Sequence, residues 1–386
     1  MPHIHFSEAE LAERRAKTCA AMQADGLDGM LIFRQESMFY LTGYDTFGYV
    51  FFQCLYLSAS GDMTLLTRAP DMRQAEFTSV VQDIRIWRDG AGVNPVDDLK
   101  EILEGHHCRG KTLGVEWESY GLTAANGRAL EAGLDGFCTL KDASLIVSKL
   151  RLVKSPAELD YCREAGRLAD AAWDKAVNLA ESGAFEGEIL ADMNSVIFAG
   201  GGDYPGNEFI IGSGEGALMC RYFTGRRYLS DQDQLTLEWA GTYRHYHAAM
   251  MRTLVIGEAS ERQVFLNDAA EAALLACEDK LRPGATMGEV FQAHADTLDA
   301  RGLGDARMNA CGYSLGTTFA PNWMDWPMFY AGNPVVLAPG MVFFLHMIVF
   351  DSDAGFAASL GRTSIVTEGA PECLSKADLS LVVKAS

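Results

Sequence analysis

The residues best suited to chemistry lie in segment 235–247, where a glutamate interrupts an apolar run and two histidines follow. In a strand, Leu235, Leu237 and Trp239 share one face and Glu238 lies on the other. A carboxylate placed there needs a partner, or desolvation raises its pKa, as in a general base. The alternative is an edge strand in which Glu238 faces water. The pattern leaves both interpretations open.

Three histidines and one arginine are further candidates. His245 and His247 are two residues apart, a spacing that suits metal binding on one strand face, although histidines that only form hydrogen bonds are more common. His346 lies in the apolar run 343–349, where it is either a hydrogen-bonded core residue or a functional one. Arg221 is suited to bidentate binding of a carboxylate. Its alternative is a surface arginine whose stem covers apolar neighbours.

Aromatic residues are concentrated in two segments, 39–52 and 319–330. Such clusters usually belong to a hydrophobic core. Trp323 and Trp326, however, stand among Pro, Asn and Asp residues in a segment that we predict as a loop. Two tryptophans in a loop are suited to form a lid or the wall of a cation site.

The composition excludes several classes of protein. The 52 acidic residues outnumber 32 basic ones, and the net charge of -20 argues against binding to nucleic acid. We find no apolar stretch near the ~20 residues that span a bilayer, and no secretory signal at the start. Nine scattered cysteines without C-x-x-C spacing predict neither a disulfide framework nor a zinc knuckle. We therefore expect a cytoplasmic protein that binds neither membrane nor nucleic acid.

The length of 386 residues predicts two domains. The boundary precedes a strong helix start, in which Ser155 is the N-cap, Pro156 occupies the first turn and Glu158 completes a capping box. We therefore place the domains at 1–150 and 151–386. Predicted strands are 29–33, 39–41, 50–57, 63–66, 84–87, 112–115, 208–212, 234–240, 250–256, 342–350 and 362–366. Predicted helices start at Ser7, Ser155, Glu186, Glu261 and Thr286, with one more at 124–134.

These elements resemble, in their order, the creatinase–prolidase–methionine aminopeptidase superfamily. The resemblance rests on RLVKSPAEL at 151–159, LAPGMVF at 337–343 and the Arg252-Thr253 pair. It implies an α+β chain with an N-terminal creatinase/prolidase-type α/β domain and a C-terminal pita-bread catalytic domain. It also implies a homodimer in which the N-terminal domain of one subunit lines the site of the other.

The peptidases of this superfamily hold two metal ions with Asp, Asp, His, Glu and Glu. The resemblance places these ligands at Glu238, Ala249, Tyr313, His346 and, for the last glutamate, Gly361 or its neighbour. Only Glu238 keeps a carboxylate there, and a two-metal site depends on bridging carboxylates. The resemblance therefore implies that the dinuclear site is absent and that the protein uses no metal or other cofactor.

Within the superfamily, the chain is most similar to the metal-free small-molecule hydrolases, creatinase and ectoine hydrolase. The similarity to ectoine hydrolase rests on LTGYD at 41–45, segment 238–247, Gly312-Tyr313 with Gly316, and Pro321-Asn322-Trp323. It implies metal-independent hydrolysis of a C–N bond in a small cationic or zwitterionic amidine, guanidino compound or amide. Arg221 departs from creatinase, which has its catalytic histidine at this position.

On this interpretation, Glu238 attacks the substrate carbon or activates water, and His247 or His346 moves protons. The implied substrate-binding residues are Arg221, Tyr313 and Trp323, with Tyr49 and Phe47 contributed by the partner subunit. Two other functions remain open. One is a metal-dependent aminopeptidase or Xaa-Pro dipeptidase, and the other is a non-catalytic binding protein on the same fold.

Overall fold

The computed structural model describes residues 2–221 and 225–385. The chain divides into two compact units, Met1–Arg151 and Leu152–Ser386. Both units combine helices with a mixed sheet, so the expected α+β class is confirmed. None of the described helices combines the length and the hydrophobicity that a bilayer crossing requires.

The first unit is built on a six-stranded sheet of order β4-β3-β2-β1-β5-β6. Its strands are β1 (Gly29–Ile32), β2 (Cys54–Ser58), β3 (Met63–Arg68), β4 (Asp83–Trp87), β5 (Thr112–Val115) and β6 (Thr139–Asp142). Its helices are α1 (Glu8–Ala24), α2 (Gln35–Thr42), α3 (Met72–Thr78), α4 (Pro95–Gly105), α5 (Ala124–Leu134) and α6 (Ile146–Arg151). Antiparallel pairing joins β1, β2 and β3, whereas β5 runs parallel to β1 and β6.

The predicted strand at 39–41 is wrong, because these residues belong to α2. A distant carboxylate fixes the start of this helix: Glu116 accepts hydrogen bonds from the backbone N–H groups of Phe33 and Arg34 and from the Ser37 hydroxyl. Such capping satisfies the free N–H groups of a helix end. Because the cap, Glu116, lies some 80 positions further along the chain, a local sequence pattern does not reveal it.

The second unit is built on a nine-stranded sheet whose main path is β11-β10-β12-β13-β9-β8-β7. Its strands are β7 (Ile210–Ser213), β8 (Asp233–Tyr243), β9 (Tyr246–Ile256), β10 (Gly312–Ser314), β11 (Asp325–Met328), β12 (Val342–Asp351), β13 (Phe356–Ile365), β14 (Glu372–Cys373) and β15 (Val382–Lys384). Its helices are α7 (Pro156–Leu179), α8 (Glu186–Ala199), α9 (Glu261–Lys280) and α10 (Met287–Asp299). The capping boxes predicted at Ser155 and Thr286 are both confirmed.

The helices α7 and α9 cover one face of this sheet. On β8, Trp239 stacks on Trp173 of α7 with ring centroids 5.5 Å apart, and its Nε1 donates to the Ala169 carbonyl at 2.9 Å. Gly241 lies directly against the α7 backbone at Ala165, where a side chain would not fit. Because side chains alternate along a strand, the residues between these project from the opposite face. Glu238 is on that opposite face.

Candidate functional site

Glu238 lies inside the sheet, since β8 is hydrogen-bonded to both β7 and β9 and residue 238 pairs with Ile210 and Met251. Its side chain is buried, so the alternative of an edge-strand glutamate facing water is wrong. Burial raises the pKa of Glu238 to about 7, although the charge of Arg221 and a hydrogen bond from Tyr313 oppose this shift. A carboxyl group with this pKa is half ionised near neutral pH and can both take and return a proton.

Tyr313 and Trp323 form a hydrogen-bonded chain that ends on Glu238. The Trp323 Nε1–H donates to the Tyr313 hydroxyl at 2.8 Å, and that hydroxyl donates to Glu238 Oε1 at 3.4 Å. Both aromatic residues are buried. Burial, reinforced by the Glu238 charge, raises the pKa of Tyr313 well above its usual range, so the phenol stays protonated. The chain therefore supplies Glu238 with a fixed donor.

His346 lies on β12 opposite Gly361 of β13 and packs between two aromatic rings, with ring centroids 5.6 Å from Tyr313 and 5.4 Å from Phe344. Its Nδ1 is buried and has no hydrogen-bond partner among the described residues. Burial lowers the pKa of His346 to about 3, so the ring is neutral at pH 7. A neutral imidazole in this position can accept a hydrogen bond.

His247 is fully buried, and both of its ring nitrogens are engaged. Its Nε2 accepts from the Gly206 N–H at 2.8 Å, and its Nδ1 lies 3.3 Å from both the Gly316 carbonyl and the Thr318 hydroxyl. Burial lowers the pKa of His247 to about 4. These contacts fix the backbone on either side of the ring.

His245 is in the tight turn between β8 and β9 and stacks on Phe319, so the two histidines do not share a strand face.

Arg221 follows the 3₁₀ segment Gly214–Leu218 and is exposed. Its charge lowers the pKa of both Glu238 and His346, which places it within electrostatic reach of both groups. Its neighbour Cys220 is partly buried, and burial together with the Glu238 charge raises the pKa of this thiol.

The predicted aromatic residues Tyr49 and Phe47 belong to the first unit, where Tyr49 is buried and Phe47 is 74% exposed.

A polar row beside Glu238 was not predicted from the sequence. Thr236 of β8 and Thr253 of β9 face each other with their hydroxyls 2.9 Å apart, and Thr253 also accepts from the Ser359 N–H at 3.1 Å. The Ser359 hydroxyl is buried and has no partner among the described residues. The period-2 pattern of β8 already contained a signal for Thr236, because this residue shares the face of Glu238.

Trp326, predicted in a loop, lies in β11.

Two family models match the chain. The model for the creatinase/prolidase N-terminal domain matches residues 14–153, and the model for metallopeptidase family M24 matches residues 160–368. The chain belongs to metallopeptidase family M24. The pita-bread superfamily inferred from sequence motifs is thereby confirmed, and the protein is a hydrolase of this family.

Relatives of this M24 chain match it over nearly its full length. A hydrolase/peptidase of Sinorhizobium fredii, y4tM, is 28% identical over 99% of both chains. The ectoine hydrolase of Halomonas elongata is 26% identical, again over 99% of both chains. The crystal structure of the dipeptidase PepE from Mycobacterium ulcerans is 26% identical and superposes with a TM-score of 0.84, covering 99% of this chain and 100% of that one.

The M24 metal positions inferred from the resemblance share one face of the sheet. Strand pairing brings Glu238 opposite Met251, Met251 opposite Gly361, and Gly361 opposite His346. Ala249 lies two residues from Met251 on β9, and Tyr313 pairs with the residue two before His346 on β12. The fold thus assembles all five positions in one patch.

The side chains in this patch do not fit a pair of metal ions. Ala249 and Gly361 offer no donor atom, and the Tyr313 phenol stays protonated. Glu238 and His346 remain, one carboxylate and one imidazole, where bridging carboxylates are required. Within residues 2–221 and 225–385, no three His, Cys, Asp or Glu side chains come together as a group able to hold a metal.

Proposed function

We propose that this M24 protein hydrolyses a C–N bond in a small cationic or zwitterionic compound, an amidine, a guanidino acid or a related amide, without a bound metal. The observation that carries the proposal is the chemistry of the patch around Glu238. It contains hydrogen-bond acceptors, namely the Glu238 carboxylate, the His346 Nδ1 and the Ser359 hydroxyl. An amidinium or guanidinium ion has only N–H donors, so it is complementary to such a surface. The similarity to an ectoine hydrolase supports the same class.

Glu238 acts first in the proposed reaction. Its carboxylate either removes a proton from water, whose oxygen adds to the C–N carbon, or adds to that carbon directly, with water releasing the product in a second step. If Glu238 has removed a proton from water, it returns that proton to the leaving nitrogen as the C–N bond breaks. If Glu238 has added to the carbon, the leaving nitrogen takes its proton from water, and the hydroxide so formed releases the product from Glu238. The amidinium carbon is already electron-poor, which lowers the need for a Lewis acid.

Three further residues hold groups in place during the reaction. Tyr313 and Trp323 orient Glu238, and His346 contacts the substrate. The Tyr313 hydroxyl, held by Trp323, keeps the Glu238 carboxylate in one orientation. His346 is neutral, so in this proposal its ring nitrogen accepts a hydrogen bond from a substrate N–H, and His247 holds the surrounding backbone rather than moving protons. A neutral His346 also avoids repulsion of a cationic substrate.

Arg221 is assigned to the substrate carboxylate, because a guanidinium group binds a carboxylate through two parallel N–H donors. The site would then pair one fixed cation with one buried anion, Arg221 with Glu238, and select zwitterions.

We further propose a homodimer in which Tyr49 and Phe47 of the partner subunit add aromatic surface for the substrate cation.

The pH dependence of kcat/KM follows from the pKa of Glu238. The carboxylate is the active form, so kcat/KM is expected to rise with pH through an apparent pKa near 7 and to fall about tenfold per unit below it. A bound cation favours the ionised carboxyl group, so the profile of kcat should shift to lower pH. A steady-state pH series tests both. A kcat/KM that stays flat from pH 5 to 8 would contradict Glu238 as the base or nucleophile.

Metal content distinguishes this proposal from a dipeptidase. PepE makes the peptidase a specific second candidate. We expect protein purified without chelators to contain far less than one equivalent of transition metal per chain and to keep its activity in EDTA. Elemental analysis and dialysis against EDTA measure this. Two tightly bound ions per chain, lost together with activity on chelation, would establish the peptidase instead.

A further inference from the structure

A loop attached at both ends carries Arg221 next to the candidate site. We call residues 214–221 and 225–227 the anchored loop. It leaves the sheet at the end of β7, the strand whose Ile210 pairs with Glu238. Its first segment, Gly214–Leu218, packs against β8 and β13. The loop therefore starts beside Leu235 and Asp233 of β8, three to five residues before Glu238 in the same strand.

Glu186 joins the two ends of this loop. The residue opens α8 and is 1% exposed. One carboxylate oxygen accepts from the Ser213 N–H at 2.7 Å, and the other accepts from the N–H groups of Arg226 and Arg227 at 2.9 and 3.0 Å. The returning end approaches so closely that a side chain at Gly225 would place its Cβ 2.9 Å from the Cβ of Glu186.

Asp233, also buried, reinforces the same junction from β8. Its carboxylate accepts from the Gly214 N–H at 3.0 Å and from the Arg227 guanidinium at 2.5 Å, and Arg227 donates as well to the Ser213 hydroxyl at 2.7 Å. Two buried carboxylates thus hold the departing and returning ends of the loop together. Buried charges are retained only when they are paired or hydrogen-bonded in this way.

We propose that Glu186 is a positioning residue for Arg221, because its carboxylate holds the backbone at Ser213 on one side of this arginine and at Arg226 and Arg227 on the other. The inference rests on the proposed function through the role of Arg221 in carboxylate binding. Fixing the backbone of a residue costs conformational entropy, so a loop without anchors samples many arrangements. Preorganising Arg221 removes that cost from substrate binding. The charge of Arg221 also lowers the pKa of Glu238, so kcat is compared at a pH where this carboxyl group is ionised in both proteins.

Glu186→Gln tests this role. The variant keeps the size of the side chain but places an NH₂ group against backbone N–H donors. We expect KM for a carboxylate-bearing amidine substrate to rise about tenfold, the effect of one charged hydrogen bond, with kcat within about twofold of wild type. A decarboxylated analogue should keep its KM, since it does not use Arg221. Steady-state kinetics with both substrates measure the difference.

Thiol labelling gives a second readout that needs no activity. All nine cysteines are free, and Cys220 of the anchored loop is partly buried. Glu186→Gln should therefore speed the alkylation of Cys220 by N-ethylmaleimide, followed by peptide mass spectrometry. Cys138, also partly buried but in the first unit, is the internal control and should keep its rate. If no zwitterionic amidine is a substrate, the proposed function fails, whereas the labelling result still decides whether Glu186 anchors the loop.

Two variants complete the test. Glu116→Gln is the matched control, because Glu116 is a buried carboxylate that also accepts two backbone N–H groups but belongs to the first unit. It should change neither KM nor Cys220 labelling. Asp233→Asn should reproduce both effects, which keeps the test valid if Glu186→Gln does not fold. The inference is overturned if KM for the carboxylate substrate stays at the wild-type value, or if both substrates are affected equally.

Discussion

Glu238→Gln is expected to lower kcat/KM for the true substrate by at least ~10²–10⁴-fold, the usual contribution of a general base alone. Glutamine keeps the size of the side chain and removes its negative charge, so it eliminates both the nucleophile and the base role. It also keeps an oxygen that can accept the Tyr313 hydrogen bond. Steady-state kinetics on the purified variant, with substrate above the wild-type KM, measure the loss.

The same variant should fold and should be at least as stable as wild type at pH 8. Folding raises the pKa of Glu238 to about 7, above its ordinary value of 4.5. Below pH 4.5 the carboxyl group is protonated in both states and its burial carries no ionisation penalty. Between pH 4.5 and about 7 only the unfolded state ionises this group, so stability declines as the pH rises over that window and levels off above pH 7. Glutamine does not ionise, and thermal unfolding from pH 5 to 8 should show the difference.

Glu116→Gln is a matched control for this prediction. Burial also raises the pKa of Glu116 to about 7, but its oxygens cap α2 in the first unit. Its replacement should lower the melting temperature, because an amide has one acceptor oxygen for the two backbone N–H groups and the Ser37 hydroxyl, and should leave kcat unchanged. Near-wild-type turnover by Glu238→Gln would show that Glu238 is not the reactive group.

The strongly periodic and capped elements could be predicted from the sequence. The capping boxes at Ser155 and Thr286 located α7 and α10, and the long apolar runs located β8, β9 and β12 within a few residues. Short apolar runs could not be assigned to a strand or a helix from the sequence. Contacts with residues far along the chain decide which of the two such a run forms. The wrong strand at 39–41 is such a case, since Glu116 caps the helix that replaces it.

The site could be predicted only in part, because its geometry depends on strand register. A glutamate in an apolar run was sufficient to single out Glu238, but its burial follows from the short strand β7 beside it. The sequence pattern did not show which of the two histidines, His247 or His346, takes part in the reaction. Both lie in strands, and the difference between them is that Gly206 and Gly316 occupy the ring nitrogens of His247. Ser359 has no sequence signal, since its place beside Thr253 comes from the pairing of β13 with β9.

Arg221→Ala is expected to raise KM for carboxylate-bearing substrates by about 10- to 150-fold, which corresponds to the ~1.5–3 kcal/mol of a hydrogen bond to a charged group. A decarboxylated analogue should lose much less affinity, because it has no group for the guanidinium to bind. Arg221→Lys should restore binding only in part, since lysine is a point charge without the planar pair of N–H donors. Binding constants for a matched pair of ligands, measured by calorimetry on all three proteins, test the prediction.

Arg226→Ala is the control for the loss of charge and for disturbance of the loop. Arg226 is exposed, and its backbone N–H, which the substitution keeps, bonds to Glu186. This variant should bind both ligands like wild type, apart from a small effect of net charge that salt screens. If Arg221→Ala weakens both ligands equally, or neither, Arg221 does not bind the carboxylate. The substrate would then be a simple cation, recognised by the acceptors Glu238, His346 and Ser359 without a fixed positive partner.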